Sequence, residues 1–362
     1  MATSILRPYL AHFAVPTSVH LEALIVAQVR AFQPDVTFAD LPIRLAAAAA
    51  RANVNPKPIF TDRVSEGRLT FDAAAGQFQI WLNRHADARR PRWYDEELNP
   101  NALDIKGRLR FTYAHELAHR FFFLEHGLIW ERLLDRVTNR DDAQAYEALY
   151  DAEEVLCDRI AARLLIPDKI VREIGTHLTG LIDTHEVGLE VMRLAERCAV
   201  TRESFLVRIA RAIGLRELPW PEDAICLLIG HSTRSGSRAR AQRKLRIKVM
   251  LTARNSLGHV YPGMPVQKLS AALAAYVCEA LTDTRAISRI DTILLPGSPD
   301  LVLQGWSHRY AALAGEQLLL WGRLHADNAA RTQDIKRRQL SLASEDECLT
   351  SDGCVRELVH PV

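Results

Sequence analysis

Apolar positions change their period several times along this chain, and each change predicts a new element. Residues 1 to 50 read as helical, with Leu21, Leu24, Ile25 and Val26, then the stretch 45 to 50, supplying apolar faces. The period then drops to two. Arg68-Leu-Thr-Phe-Asp, a turn at 73 to 76 and Gln77-Phe-Gln-Ile-Trp-Leu-Asn predict a hairpin with Phe78, Ile80 and Leu82 on one face. A loop holding Arg89, Arg90, Pro91 and Pro100 follows. Helical spacing returns over 109 to 124, burying Phe111, Ala114, Ala118, Phe121 and Phe122, with Gly127 as the stop. A second helix is expected from 151 to 166, on Leu156, Ile160, Ala161, Leu164 and Leu165, ended by Pro167.

Beyond Pro219-Trp-Pro221 strands dominate, so a domain boundary is expected there. Ile225-Cys-Leu-Leu-Ile-Gly and Lys244-Leu-Arg-Ile-Lys-Val-Met-Leu read as strands, 271 to 281 as a helix. Strands near 290 to 295, 301 to 312 and 318 to 324 follow, the last two joined at Gly315-Glu-Gln. The fold class is α+β, with a mostly antiparallel sheet in the second part. The expected organisation is a helical segment at 1–50, a first domain at 51–218, a second at 222–325 and a tail at 326–362. The length of 362 residues and 48% hydrophobic content also suit two domains better than one.

The helix predicted over 109 to 124 carries the chemistry. It contains His115-Glu116-x-x-His119, and positions four apart on a helix differ by about 40° in azimuth and about 6 Å in height. Both imidazoles can therefore reach one metal ion, with Glu116 beside the first to hold the attacking water. The pattern points to a zinc hydrolase. A catalytic zinc takes three protein ligands and keeps a fourth position open. Glu125 lies six residues past His119, but on a continuing helix that is about 240° away, off the metal face. Glu154 and Asp158 on the next helix are four apart and share a face. The first can bind zinc while the second accepts a hydrogen bond from a ligand histidine. Glu153 is the close rival of Glu154 for that ligand position.

A small sheet followed by a metal helix is the arrangement a zinc peptidase needs, because an open edge strand can pair with an extended substrate. At this point the chain resembles a known family, the ImmA/IrrE metallo-endopeptidases of bacteria, which cleave repressor proteins. The residues that carry the likeness are Arg110-Phe111-Thr112-Tyr113-Ala114-His115-Glu116-Leu117-Ala118-His119, and Glu154-x-x-Cys157-Asp158-x-Ile160-Ala161-Ala162-x-Leu164-Leu165-Ile166-Pro167. The segment 194 to 215 resembles the family's closing helices, so the likeness spans about residues 55 to 215. Ala118 stands where glycine is usual, Cys157 and Asp158 where alanine and asparagine are common, and Ile160 replaces an aromatic residue.

The resemblance implies a mainly helical, minimal zincin-like domain whose Zn2+ is held by His115, His119 and Glu154. Glu116 is its general base, and the substrate is a DNA-binding transcriptional repressor of a stress response or mobile element. Tyr113, His177 or His185 would stabilise the oxyanion. By analogy, the second domain is sensor-like and regulatory. Two rival functions stand beside this one: a ligand-gated regulator of DNA or a protein partner with a structural zinc, and a zinc hydrolase of small molecules working in a closed pocket.

Charge and cysteines narrow the picture further. With 46 basic and 44 acidic residues the net charge is +2, which gives no global attraction to a polyanion. The segment 190–215 has helix-turn-helix spacing, with Ala195 at the helix contact, Ala199 and Val200 at the turn and Thr201 capping. Its mixed charge (Arg202, Glu203, Arg208, Arg211) favours packing over DNA reading. The basic stretch 233 to 244 is the other candidate nucleic-acid contact. No apolar run approaches the roughly 20 residues that span a bilayer, so a cytoplasmic protein with no membrane partner is expected. The six cysteines form no Cys-x-x-Cys pair. Reduced thiols are expected, with Cys157, Cys198, Cys226 and Cys278 in the core and Cys348 and Cys354 in a polar tail open to redox or metal chemistry.

Overall fold

In the computed structural model, described residues are 5–30, 36–64, 66–83, 107–126, 129–138, 142–231, 245–253, 262, 264–266, 271–283, 285–295, 301–312 and 315–326. The basic stretch 233–244, Gly127 and the tail beyond 326 lie outside them. The fold is α+β. Its chain divides into two units, the first made of Met1–Ile170 with Leu194–Phe205, the second of Val171–Arg193 with Leu206–Val362.

The first unit opens with helices α1 (Arg7–His12), α2 (Ser18–Arg30) and α3 (Leu45–Arg51). A three-stranded sheet follows, of β1 (Ile59–Thr61), β2 (Gly67–Asp72) and β3 (Gln77–Asn83), in the order β1-β3-β2. The expected hairpin is β2 and β3. Its turn is closed by Asp72, whose carboxylate accepts from the amides of Ala74 and Ala75, and by Gly76 at φ +65°, a left-handed value glycine adopts without strain. Phe78, Ile80 and Leu82 are fully buried, as the alternation requires. The short β1, parallel to β3, has too few residues to show a period.

Helix α4 (Gly107–His119) starts where expected but stops at His119, five residues short of the predicted end. A 3-10 turn (Arg120–Phe122) leads instead into strand β4 (Phe123–His126), paired with β5 (Ile129–Arg132). The cause is tertiary packing. Arg120 donates to the carbonyl of Ala52 and its guanidinium stacks 3.9 Å over Trp130. Phe78 meets Phe123 and Trp130, each at 5.1 Å. Phe122 is buried, while Phe111 and Phe121 are only half-buried. The short α5 (Leu133–Val137) precedes the long α6 (Ala143–Leu165), which is capped by Asp142 accepting from the amide of Ala145.

Helices α7 (Asp168–Leu181), α8 (Val187–Arg197) and α9 (Arg202–Gly214) each carry residues of both units. The turn between α8 and α9 holds Ala199 at φ +50°, and Thr201 caps α9 by accepting from the amide of Ser204. Arg208, one of the mixed charges of α9, is buried 3.8 Å from Glu217.

The second unit is built on a five-stranded sheet, fully antiparallel in the order β7-β6-β10-β9-β8. Its strands are β6 (Ala224–His231), β7 (Leu245–Leu251), β8 (Ile287–Leu295), β9 (Leu301–Ala312) and β10 (Gly315–Ala326). Ile225, Leu227, Ile229, Leu318 and Leu320 form a core with Leu273 and Val277 of α10 (Ala271–Thr282). Trp321 faces the other way and donates its indole N–H to the carbonyl of Thr184. Gly188 and Gly175 leave room for His308 and Leu218. These contacts explain why the units do not divide at Pro219–Pro221: residues 171 to 193 cover one face of this sheet.

Candidate metal centre

Helices α4 and α6 carry the candidate residues and run antiparallel. His115 meets Asp158 and Glu154, while His119, one turn on, meets Glu154, Glu153 and Cys157, stepping backward along α6. Three donor atoms converge. His115 Nε2 lies 3.0 Å from Glu154 Oε2, His119 Nε2 lies 3.2 Å from Glu154 Oε1, and the two Nε2 atoms are 3.1 Å apart. A tetrahedral ion with bonds of about 2.0 Å has ligand atoms about 3.3 Å apart, so the spacing fits a zinc-sized ion.

The outer nitrogens reinforce the fit. His115 Nδ1 lies 2.8 Å from Asp158 Oδ1 and His119 Nδ1 lies 2.8 Å from Glu153 Oε1. With both Nδ1 atoms bonded to carboxylates, the two Nε2 atoms face each other and Glu154, the place a cation takes once their protons are displaced. His115, His119 and Glu154 thus form a group that could hold a metal, and no fourth His, Cys, Asp or Glu donor joins it among the described residues.

Glu153 lies on the Nδ1 side of His119, where it and Cys157 form a second group that could hold a metal, apart from the one His119 forms with His115 and Glu154. It is fully buried, and besides His119 it accepts from Arg132 at 2.7 Å and from the Tyr9 hydroxyl. Burial favours its neutral form, but these donors more than offset that and hold the carboxyl below its usual range. Glu154 behaves likewise: burial opposes its charge, yet the two histidines and the Tyr150 hydroxyl hold it well below the carboxylate range. The same pairs act on the rings. Burial pulls the His115 imidazole down, but Asp158 and Glu154 outweigh it and push it up to about 9, and His119 is raised too. Burial pushes the Cys157 thiol up to about 11, so it sits beside His119 Nδ1, at 3.4 Å, as a neutral group.

Glu116 sits on the sheet side of α4. It is buried, which raises its carboxyl, and its carboxylate accepts from the amide of Leu69 on β2. The approach is close: a Cβ on Gly67 would come within 2.7 Å of Glu116 Oε1 and 2.6 Å of Thr112 Cγ2. The outer edge of β2, opposite its partner β3, therefore runs beside Glu116.

Several expected residues lie elsewhere. Tyr113, two positions before His115 and about 200° around the helix, is buried with its hydroxyl donating to the carbonyl of Pro56. It is not placed to stabilise an oxyanion. Glu125 is on β4 opposite Trp130, exposed and off the helix altogether. His177 and His185 belong to the second unit, where His177 pairs with Glu190 at 3.0 Å and His185 lies against Trp306. Tyr9, Arg132 and Tyr150 were missed by sequence reasoning. Tyr150, one turn before Glu154, carried the same helical signal that brought out Asp158.

No family model matches the chain, and no curated protein does. Among solved structures, a Mycobacterium tuberculosis transcriptional regulator is similar at 15% identity and a TM-score of 0.43, covering 84% of this chain and 76% of that one. At that level nothing of the neighbour's function carries over. Among the described residues, no helix is long and apolar enough to cross a membrane.

Proposed function

We propose that this chain is a zinc-dependent endopeptidase that hydrolyses a peptide bond in a protein substrate. The observation that carries the reading is the convergence of His115, His119 and Glu154 at 3.0 to 3.2 Å, with Glu116 beside them and, among the described residues, no fourth donor in the group. A structural zinc would call for that fourth donor.

Bound there, Zn2+ would supply Lewis acidity, polarising the scissile carbonyl and making the attacking water more acidic. The protein's own groups do the rest. Glu116, its carboxyl raised by burial, takes the proton of the attacking water and delivers it to the departing amine. Asp158 and Glu153 hold the two imidazoles in the Nδ1–H tautomer, keeping both Nε2 atoms turned to the same point. The edge of β2, which no described strand pairs, offers backbone groups to an extended chain next to Glu116, and this favours a polypeptide over a small molecule.

The substrate class, a DNA-binding transcriptional repressor, rests on the resemblance to the ImmA/IrrE peptidases. The minimal zincin-like architecture of residues 51–218 and a regulatory role for the second unit rest on it too. The test is to incubate the zinc-loaded chain with a repressor encoded beside it and to look for fragments by mass spectrometry. Discrete fragments with the wild type and none with Glu116→Gln are expected; an intact repressor in both would count against the proposal.

A further inference from the structure

Tyr150 stands one turn before Glu154 on the same face of α6, which puts its hydroxyl within reach of the Glu154 carboxylate. Unlike Tyr9 and Tyr113, which are fully buried with hydroxyls held by Glu153 and Pro56, it is 37% exposed. Arg132, anchored by Glu153, lies 5.0 Å over its ring and fixes the ring's position without occupying the hydroxyl.

The hydroxyl is thus a neighbour of a carboxylate whose oxygens sit 3.0 and 3.2 Å from the two imidazole nitrogens. It is the solvent-exposed neighbour of Glu154 on α6. The histidines are Glu154's other partners and suffice to orient it, so the phenol is free to turn to a second acceptor. In peptide hydrolysis that acceptor is the scissile carbonyl oxygen, which gains negative charge as water adds.

We propose that Tyr150 donates a hydrogen bond to the oxyanion that develops on the scissile carbonyl, so that it is a catalytic residue of the site. The inference rests on the endopeptidase reading and deepens it.

The experiment uses the full zinc-loaded chain and a panel of N-phosphoryl dipeptides, whose phosphoryl oxygens stand in for the tetrahedral oxyanion. Binding is measured by calorimetry, zinc content by elemental analysis and folding by thermal melting. Tyr150→Phe is expected to keep full zinc and an unchanged melting temperature, and to bind acetohydroxamate as the wild type does. Its affinity for the phosphoryl dipeptides should fall by about tenfold to a hundredfold, the range for one hydrogen bond to a charged acceptor. Tyr150→His, which can still donate, should recover part of that loss. Equal affinity in Tyr150→Phe would overturn the inference while leaving the endopeptidase reading in place. Loss of zinc in that variant would also overturn it, making Tyr150 a support for Glu154 alone. If the wild type binds zinc but none of the panel, or no zinc at all, the endopeptidase reading falls and this inference with it.

Discussion

His119 Nδ1 and Glu153 Oε1 are 2.8 Å apart, and the carboxylate has no solvent exposure. A buried negative charge is tolerable only with compensation, here from Arg132 at 2.7 Å and the Tyr9 hydroxyl. The unit therefore couples stability to the candidate metal site through one side chain. Glu153→Gln should weaken zinc binding by roughly tenfold to a hundredfold, the usual effect of removing a ligand's orienting partner. It should also leave Arg132 uncompensated, and a broken buried pair costs about 3–5 kcal/mol. Zinc titration and thermal melting of the same sample check both, and an unchanged zinc affinity would show that His119 is oriented without Glu153.

Glu116 and His119 should separate chemistry from binding. Glu116→Gln preserves shape and keeps the Leu69 amide within reach, so zinc content is expected at the wild-type level while repressor cleavage disappears. His119→Ala removes one of the three converging donors and should lose both. Full cleavage by Glu116→Gln would sink the peptidase mechanism outright.

Protons compete with the ion for the same nitrogens. His115, pushed up to about 9 by Asp158 and Glu154, holds a proton at neutral pH that an entering ion must displace. Zinc affinity should therefore rise with pH toward about 9, by close to tenfold per pH unit for each proton released. Competitive chelator titrations between pH 6 and 8 measure the slope. Asp158→Asn removes the charge that favours the imidazolium and should flatten it.

Much of this site was legible because helical spacing is local. His115 and His119, then Glu154 and Asp158, are each four residues apart, and the two pairs meet because their helices pack antiparallel. The stop of α4 at His119 was not legible. Nothing in Arg120-Phe-Phe-Phe-Leu breaks a helix; Arg120 over Trp130 and the ring contacts of Phe122 and Phe123 do, and those partners are remote in sequence. Tyr9 and Arg132 were hidden for the same reason, lying 144 and 21 residues from the Glu153 they serve. In the second unit the strands were legible, from alternation over Lys244–Leu251 and from short apolar runs such as Ile225-Cys-Leu-Leu-Ile. The segment that covers one face of the sheet, 171 to 193, precedes the expected boundary and showed no sign of its destination.

That second unit contains a close backbone crossing. Gly305 of β9 and Gly322 of β10 face each other, and a Cβ on Gly305 would come within 2.0 Å of the Trp321 carbonyl oxygen. Backbone cannot yield as a side chain does, so Gly305→Ala should force the two strands apart. A loss of at least about 1–3 kcal/mol, the cost of overpacking, is expected in chemical denaturation. Stability equal to the wild type would mean that the strands are further apart than this.

Gly67 offers a way to move Glu116 without touching it. A methyl group there would meet Glu116 Oε1 at 2.7 Å, Glu116 Cγ at 2.9 Å and Thr112 Cγ2 at 2.6 Å, so the Glu116 side chain must shift or β2 must retreat from α4. The metal-binding atoms of His115, His119 and Glu154 are not among the nearest neighbours of that position, because they face α6 while Gly67 packs on Thr112 and Glu116, about 100° around the helix from His115. Gly67→Ala is therefore expected to bind zinc as the wild type does and to lose at least about tenfold in cleavage rate, as misplacement of a general base by a fraction of an ångström to 1 Å does. The decisive comparison is with Gly76→Ala, which would meet no atom within 4 Å and strains only its own turn. If Gly67→Ala and Gly76→Ala cleave equally well, the tight approach of β2 to Glu116 has no part in catalysis.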